Sequence, residues 1–517
     1  MNALIVDLTH GGVKIAIELS KLSYFKEIFS YDIYKTLKNK DKNLLKSKNI
    51  KLIEEIHSIE KEVKEKNINS NELTIISPVH CPLTSEKIRN NLKTSFNNSS
   101  TKYQNFEDEI KNNLNHHEAV RLILAKWKQE ARKKNIPIIE VTGVKGKTST
   151  IAMLREILID SNPLVLSSLS ACLYKNGESI ELKKNISITP ASILETIELA
   201  EKKANLEIND LNNEFEFNFH DNFNFNYDSC IFESSLGVTG IGNIGILTNI
   251  IENYPIAKNT SNAKEAKEQI FNCDLIVAER EALENYYKKR ATEGKKRINT
   301  FTLSQNPEIN NESNLVVRKV QYGLDKTELN LSFRNIKTIY GKKINGTLKL
   351  ETFAMGRHHV LNILGVVAAA LTLEIDEKVI EEKLNNFKRI KGRSSQKIIS
   401  GFRIIEEINP GINVKAIESS INMIKDLDAY YIIIGGRYGI TCEEINENEL
   451  ATVLNKFILE KKISLILVDE LGLEIKNKME IDVLHIGDPM KAQKIAIERE
   501  KNILFIYRSN YSQINKR

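Results

Sequence analysis

The sequence predicts an α/β protein of three domains. The chain has 517 residues, which is more than one hydrophobic core usually holds. Strand-like apolar runs alternate with helical patterns along it, and a glycine-rich loop separates a strand pattern from a helical pattern near residue 145. We place the domains at residues 1–130, 131–391 and 392–517. We expect the first and last to be Rossmann-like and the central one to hold a parallel sheet.

The first domain opens with a βαβ pattern, in which an apolar run from Ala3 to Leu8 leads into a Thr-His-Gly-Gly turn. Adjacent glycines at such a turn either bind an anion at the helix terminus or only allow a tight bend. The six-residue glycine pattern of dinucleotide sites is missing. Another predicted strand ends shortly before His80. The candidate substrate contacts of this domain are His10, Gly11, Gly12 and His80.

The central domain begins with the loop Val-Thr-Gly-Val-Lys-Gly-Lys-Thr-Ser-Thr at residues 141–150. Its glycines let successive N–H groups point at phosphate oxygens, its second lysine can reach the terminal phosphates, and the following threonine hydroxyl suits magnesium. Two residues separate Gly143 from the Gly-Lys pair, where the usual P-loop has four. We predict that ATP and Mg²⁺ bind a central P-loop ATPase domain through Gly143, Val144, Lys145, Gly146, Lys147, Thr148 and Ser149.

Two buried strands are predicted further along, and Glu233 ends the first of them. Ligands of open α/β sheets bind outside the carboxyl ends of strands, so this carboxylate is a candidate site residue. Two asparagine-rich stretches, residues 91–115 and 205–228, are predicted to be surface segments, and their role is left open. The phenylalanines of the second could form a partner-binding edge or a hairpin edge, although such inserts more often carry no chemistry. Strand patterns recur between residues 402 and 507, separated by helical stretches, which predicts a second α/β sheet in the last domain.

The composition of the chain argues against several classes of function. The net charge of +6 is mild and the lysines are interspersed with glutamates, so we expect no nucleic-acid binding. No apolar run is long enough to cross a bilayer, and we expect a cytoplasmic protein without membrane contact. The five cysteines include no Cys-x-x-Cys pair, so neither a disulfide framework nor a cysteine zinc site is indicated. The oligomeric state is left open.

Several segments, taken in order, resemble the Mur ligase family of ATP-dependent ligases. They are the loop at 142–149, Glu233, Asn249, Lys267, the stretch 356–362 and Arg393. The resemblance implies a three-domain Mur-ligase-like architecture. It also implies an enzyme that forms an acyl phosphate from ATP and a carboxylate, which a nucleophile then attacks.

The family pattern assigns roles to individual residues. It implies that Lys147, Glu233 and Lys267 are catalytic and that Thr148 and Glu233 hold the first magnesium. The matched lysine of the family is often carbamoylated to position a second magnesium, and Lys264 is a nearby alternative to Lys267.

Nucleotide contacts are implied for Asn362 and Arg393. This chain departs from the pattern twice: His359 stands where an asparagine is expected, and Glu-Asn-Tyr at 252–254 replaces an expected Asp-His. A second magnesium is therefore an open question.

Three longer stretches, at residues 6–16, 233–257 and 405–416, resemble the coenzyme F(430) synthetase family of methanogenic archaea, which is Mur-like. That resemblance implies a nickel-containing seco-tetrapyrrole substrate whose propionate is closed into a carbocyclic ring. The products would be coenzyme F(430), ADP and phosphate. Two alternatives stay open: an amide ligase joining an amino acid or peptide to a carboxylate, and, ranked lower, a non-catalytic nucleotide-gated carrier of the nickel tetrapyrrole.

Overall fold

The computed structural model describes residues 1–55, 73–81, 113–208, 217–220, 223–251, 253–256, 261–293, 297–304, 306–354, 356–424, 430–438, 445–460 and 463–509. The chain divides into two compact units. Unit 1 comprises residues 1–317, 331–348 and 361–381. Unit 2 comprises residues 318–330, 349–360 and 382–517. The three predicted domain ranges stay a prediction.

The first sheet of unit 1 has the strand order β3-β2-β1-β4-β5, with all pairs parallel. This confirms the predicted βαβ opening. Every residue of the central strand β1 is buried, as expected for a parallel sheet covered on both faces. The elements are β1 (Asn2–Val6), α1 (Gly12–Ser20), β2 (Glu27–Tyr31), α2 (Asn39–Ser47), β3 (Lys51–Ile53), β4 (Leu73–Ser77) and β5 (Asn113–Asn115).

Helices lead from this sheet into a larger one, whose early strands carry the glycine-rich loop. The elements are α3 (His116–Ile123), α4 (Ala125–Lys133), β6 (Ile138–Thr142), α5 (Lys147–Ile157), a 3₁₀ turn (Ile159–Ser161), β7 (Pro163–Leu166), β8 (Ser170–Lys175), β9 (Glu178–Lys184), α6 (Pro190–Ile208), β10 (Ser229–Glu233) and β11 (Ile244–Leu247). A small antiparallel pair follows, β12 (Pro255–Ile256) with β13 (Ser261–Asn262).

The remaining elements of this region are α7 (Ala263–Lys267), a 3₁₀ turn (Glu268–Asn272), β14 (Leu275–Glu279), α8 (Arg280–Tyr286), α9 (Lys288–Thr292), β15 (Arg297–Thr302), α10 (Pro307–Glu312), β16 (Leu315–Gln321), β17 (Thr327–Lys337), β18 (Lys343–Thr352), α11 (Arg357–Thr372) and α12 (Glu377–Asn385). The strand order is β18-β17-β16-β15-β14-β11-β6-β10-β7-β8-β9. The strands from β7 to β16 in that order pair in parallel, which confirms the predicted parallel sheet.

Unit 2 contains a third sheet, with the order β19-β20-β24-β21-β22-β23. Its pairs are parallel except for the edge hairpin of β19 with β20. The predicted α/β pattern of the last domain is confirmed. Its elements are β19 (Arg393–Ile399), β20 (Phe402–Ile408), α13 (Val414–Ile424), β21 (Tyr430–Gly436), α14 (Glu447–Leu459), β22 (Ser464–Val468), α15 (Asp469–Lys478), β23 (Leu484–Ile486), α16 (Pro489–Glu498) and β24 (Asn502–Arg508).

The prediction that the asparagine-rich stretch at 205–228 is a surface segment was wrong for the later part that the structure describes, residues 217–220 and 223–228. Within the described residues, four of its aromatic side chains are buried in the core that joins the first two sheets, and Phe225 packs against that core partly buried. The four are Phe217, Phe219, Phe223 and Tyr227. Trp127 is fully buried there and donates a hydrogen bond from Nε1 to the Tyr227 hydroxyl at 3.2 Å. The burial of large rings outweighs the polar residues between them. The other stretch, 91–115, lies mostly outside the described residues.

No helix among the described residues combines the length and the apolar character that a bilayer crossing requires. The expected cytoplasmic location stays a prediction.

Candidate active site

The glycine-rich loop connects β6 to α5, as the sequence predicts. Gly143 has φ +147° and Gly146 has φ +84°, and Gly146 is the N-cap of α5. A Cβ at Gly143 would lie 2.0 Å from Thr248 Oγ1, and a Cβ at Gly146 would lie 1.9 Å from Asn362 Oδ1. Only glycine fits either position, because both the backbone angle and the space exclude a side chain.

The two residues that follow β11 hold the outer part of the loop through hydrogen bonds. Val144 N–H donates to Asn249 O at 3.1 Å, and Lys145 N–H donates to Asn249 Oδ1 at 3.1 Å. The Lys145 carbonyl accepts from Thr248 Oγ1 at 2.5 Å and from Asn249 Nδ2 at 3.1 Å. Lys147 begins the helix, and its Nζ donates to Gly143 O at 3.1 Å. The loop is therefore fixed by its neighbours at the start of a helix, where backbone N–H groups favour anions.

Thr148 and Glu233 meet beside this loop. The β10–β6 register pairs Glu233 with Val141, so the end of β10 lies next to the start of the loop. Glu233 is 1% exposed, and its Oε1 accepts from Thr148 Oγ1 at 3.0 Å. The sequence did not identify Ser168, whose N–H donates to Glu233 Oε2 at 2.9 Å and whose hydroxyl lies 3.0 Å from Thr148 Oγ1. Paired hydroxyl and carboxylate oxygens are a hard donor set that suits Mg²⁺.

Asn362 lies on α11 and packs against Gly146. It is 4% exposed, and its Oδ1 accepts no hydrogen bond from the described residues. A buried amide oxygen without a partner is costly in a folded core. The amino group or a ribose hydroxyl of a nucleotide can supply the missing donor, whereas phosphate oxygens only accept.

Of the two candidate lysines, Lys267 is the one that reaches the carboxyl end of β10. It is fully buried, and its Nζ donates to Ser235 O at 3.2 Å and to the Tyr254 hydroxyl at 3.4 Å. Tyr254 belongs to the stretch that replaces the family's Asp-His. Lys264 instead lines a cavity of about 360 Å³ together with Tyr286 and Tyr287.

A pair of histidines that the sequence did not single out, His116 and His117, begins α3 and is fully buried. Burial lowers the pKa of each to about 3, with smaller contributions from neighbouring charges that include His80 for both and Lys267 for His117. Both rings are therefore neutral at physiological pH. The signal for them in the sequence is the capping box Asn115 to Glu118, which places the pair in the first turn of a helix.

The candidate substrate contacts of the first sheet come together in part. His10 Nδ1 lies 3.1 Å from His80 Nε2. Gly11 has φ +90°, and a Cβ there would lie 2.2 Å from Ala191 Cβ, while a Cβ at Gly12 would lie 2.4 Å from Asp7 O. Close packing thus accounts for both glycines, and a substrate role for the four residues stays a prediction.

Unit 2 holds the remaining predicted nucleotide contact, Arg393. Its Nη1 donates to the carbonyls of Gly392 and Ile408. Next to it, Ser394 Oγ donates to Glu407 Oε1 and lies 3.0 Å from His359 Nε2. Burial lowers the pKa of His359 well below its ordinary value. A nucleotide role for Arg393 stays a prediction.

Comparison of this sequence with known proteins tests the resemblance to the coenzyme F(430) synthetases. Residues 396–510 match the family model described as the C-terminal domain of coenzyme F430 synthetase CfbE. The coenzyme F(430) synthetase of Methanocaldococcus jannaschii is 28% identical over 502 residues, covering 96% of this chain and 98% of that protein. The coenzyme F(430) synthetase of Methanosarcina acetivorans is 27% identical over 470 residues, covering 88% and 87%. The resemblance to the coenzyme F(430) synthetases is confirmed.

The fold class is also confirmed. A crystal structure of MurF from Acinetobacter baumannii matches with a TM-score of 0.53 and 13% identity, covering 87% of this chain and 92% of that one. A second structure from that organism, of a UDP-N-acetylmuramoylalanyl-D-glutamyl-2,6-diaminopimelate–D-alanyl-D-alanyl ligase, matches with a TM-score of 0.52 and 13% identity. At such a low sequence identity, these matches support the Mur-ligase-like fold and nothing further. Fold and full-length relatives together support the role of an ATP-dependent ligase.

Proposed function

We propose that this protein is an ATP-dependent cyclo-ligase that closes a propionate of a nickel-containing seco-tetrapyrrole into a carbocyclic ring, forming coenzyme F(430), ADP and phosphate. The observation that carries the ATP-dependent step is the contact of Thr148 Oγ1 with Glu233 Oε1 at 3.0 Å, beside a glycine loop that begins a helix. The full-length similarity to proteins named coenzyme F(430) synthetase supports the substrate.

The chemistry requires a better leaving group than a carboxylate offers. One carboxylate oxygen attacks the γ-phosphorus of ATP, and the bond to the β-phosphate oxygen breaks to release ADP. A carbon of the macrocycle, after losing a proton, then attacks the acyl carbon, and phosphate leaves with that carboxylate oxygen. Both reacting centres belong to one substrate, so holding them together can replace a high concentration of nucleophile. No protein nucleophile is needed.

The residues of the loop would serve the first step. Lys147 and the loop N–H groups would bind and orient the phosphates and offset the negative charge that grows during transfer. Thr148 and Glu233 would hold Mg²⁺, which supplies charge neutralisation between the phosphates. Asn362, with its unpartnered buried oxygen, would accept a donor of the nucleotide.

Lys267 is our choice for the carbamoylated lysine, because its Nζ lies 3.2 Å from Ser235 O, two residues beyond Glu233. Reaction of the amine with CO₂ would give a carbamate and release a proton. The carbamate would be a candidate ligand for a second magnesium. The mass of the intact protein, measured under native conditions with bicarbonate, should then rise by one CO₂ and stay unchanged in Lys267→Arg.

The test of the reaction is incubation of the protein with the nickel seco-tetrapyrrole acid, ATP and Mg²⁺ and no added amine. We expect a product lighter than the substrate by one water, with one ADP formed per product. A product only when an amino acid is added would instead support the amide ligase. Tetrapyrrole binding without turnover, unchanged by Lys147→Ala, would support the carrier.

A further inference from the structure

Three potential metal ligands meet at the carboxyl edge of the first sheet. Strands β1 and β4 are parallel neighbours, so the residues that follow them emerge at the same edge. Asp7 and His10 follow β1, and His80 follows β4. One ligand atom of each residue lies within 4.8 Å of the other two. This group, the Asp7–His10–His80 cluster, lies in unit 1 and plays no part in the proposed phosphoryl transfer.

The distances suit one ion. His10 Nδ1 lies 3.1 Å from His80 Nε2 and 3.7 Å from Asp7 Oδ2. Donors about 2.0–2.2 Å from a tetrahedral ion are separated from one another by about 3.4 Å. Two sides of the donor triangle are therefore close to the size that a bound ion requires. The third side joins His80 and Asp7, whose ligand atoms lie within 4.8 Å of each other, and a small rotation of the His80 ring would shorten it.

A second observation points into the cluster. The Asp7 side chain is 0% exposed, and its Oδ2 accepts no hydrogen bond from any described residue. Its other oxygen, Oδ1, accepts from Thr9 N–H at 2.9 Å and from the Thr9 hydroxyl. A fully buried carboxylate oxygen facing a histidine at 3.7 Å, without a donor, is expensive unless a cation completes its surroundings.

The surroundings resemble the outer contacts of metal sites. The Thr9 hydroxyl donates to Asp7 Oδ1 and so holds this carboxylate in place. It also lies 2.6 Å from His10 Nδ1, and coordination of a metal ion by that nitrogen would replace this contact. His116 is fully buried behind Gly12, and its Nε2 has no hydrogen-bond partner among the described residues. His10 is 44% exposed, so a water or another ligand can approach from solvent.

We propose that Asp7, His10 and His80 bind one late first-row divalent metal ion, of the Ni²⁺, Co²⁺ or Zn²⁺ class, with at least one coordination position open to solvent. Two imidazoles and one carboxylate favour such ions over Mg²⁺, which prefers oxygen donors. The inference does not depend on the proposed reaction.

The metal could come from two sources, a free ion or the centre of a metallated tetrapyrrole. A macrocycle fills four coordination positions and leaves one on each face, so a single protein side chain can bind from one side. Three donors that converge on one point cannot all use that position. The cluster therefore favours the free ion.

The test is metal binding by the full-length protein after chelator treatment and dialysis. Nickel(II) or cobalt(II) chloride is titrated and followed by calorimetry, with the visible d–d absorption of cobalt as a second signal. We expect one ion per chain at this site. His10→Gln and His80→Gln should each weaken binding at least about 10-fold and change the cobalt spectrum. His10→Gln should fold normally, because the side chain is 44% exposed.

Two control variants assign the ion to this cluster. Glu407→Gln alters the other described group of two histidines and a carboxylate, His358, His359 and Glu407, and Glu233→Gln alters the predicted magnesium site. Both should keep the wild-type nickel affinity. The proposal is overturned if no ion binds, or if His10→Gln and His80→Gln bind nickel like the wild type. It is also overturned if His10→Gln changes only the absorption spectrum of the bound nickel seco-tetrapyrrole acid and leaves free-ion binding unchanged.

Discussion

Replacing Glu233 by glutamine should lower the turnover much more than it lowers the stability of the fold. In the wild type, Oε1 accepts from the Thr148 hydroxyl at 3.0 Å and Oε2 accepts from Ser168 N–H at 2.9 Å. A glutamine can place its oxygen toward Ser168 and its amide N–H toward Thr148, because a hydroxyl can accept as well as donate. Both hydrogen bonds therefore survive in neutral form.

The expected effects of Glu233→Gln on stability and on turnover differ in size. Changing two hydrogen bonds from charged to neutral costs about 1 kcal/mol each, and removing a buried charge returns part of that, so we expect a net loss of stability of about 1 kcal/mol. The lost charge is a proposed ligand of Mg²⁺. Removing one group that stabilises transferred charge typically lowers turnover about 10²–10³-fold, which is about 2.7–4 kcal/mol.

Two assays measure these quantities. Urea unfolding gives the free energy of unfolding, and the rate of ADP formation at several Mg²⁺ concentrations gives the turnover and its magnesium dependence. Glu156→Gln is the matched control, because Glu156 lies on the same helix as Thr148 but is 35% exposed and pairs with Arg155. A folded Glu233→Gln protein with wild-type turnover and wild-type magnesium dependence would refute the proposed site.

Three further predictions concern other residues. Gly146→Ala should abolish ATP binding in calorimetry and lower stability by more than about 1 kcal/mol, because φ is +84° and the new Cβ would lie 1.9 Å from Asn362 Oδ1. Glu140→Ala should cost about 3–5 kcal/mol in urea unfolding, since this fully buried carboxylate accepts from four donors at 2.7–3.0 Å. Burial opposes ionisation of Glu198, but Lys14 and Lys202 together outweigh it and lower the pKa of this carboxyl, so Glu198→Gln should flatten the fall in the free energy of unfolding as the pH drops below about 4.5.

Each of these has a control and a contrary result. Gly341→Ala shares a positive φ of +91° but has nothing within 4 Å, so an equal loss at both glycines would remove the clash as a cause. Glu178→Ala changes an exposed strand residue, and a similar loss there would contradict the argument for Glu140. For Glu198, the ionised carboxylate stabilises the fold above its unfolded pKa, and an unchanged dependence of stability on acid pH in the variant would contradict the role of Lys14 and Lys202.

The nucleotide loop could be predicted because its information is local. A strand, two glycines and a helix fix the course of residues 142–149. The position of Glu233 next to Thr148 depends instead on the pairing of β10 with β6 across three intervening strands, and the family resemblance indicated that pair. The position of Asn362 does not follow from spacing. It depends on a helix more than 200 residues later packing against Gly146, and only the family resemblance indicated it.

Other features depend on sheet order and on burial, which a single sequence does not reveal. His10 and His80 meet because β4 pairs with β1, although β2 and β3 lie between them in the chain. Glu140 lies within an apolar run, and the N–H groups that surround it come from residues 239–242. The aromatic residues of 217–227 were misjudged because their polar neighbours resemble a surface segment, while the core around Trp127 accommodates the rings.

The most direct test of the proposed chemistry traces the oxygen atoms of the reacting propionate. The nickel seco-tetrapyrrole acid, labelled with ¹⁸O in both oxygens of the reacting propionate, is incubated with the protein, unlabelled ATP and Mg²⁺, and the phosphate and tetrapyrrole are analysed by mass spectrometry. We expect one ¹⁸O in the released phosphate and one in the ketone of the ring-closed product. Phosphate without ¹⁸O, alongside ring-closed product, would contradict an acyl phosphate formed at this loop.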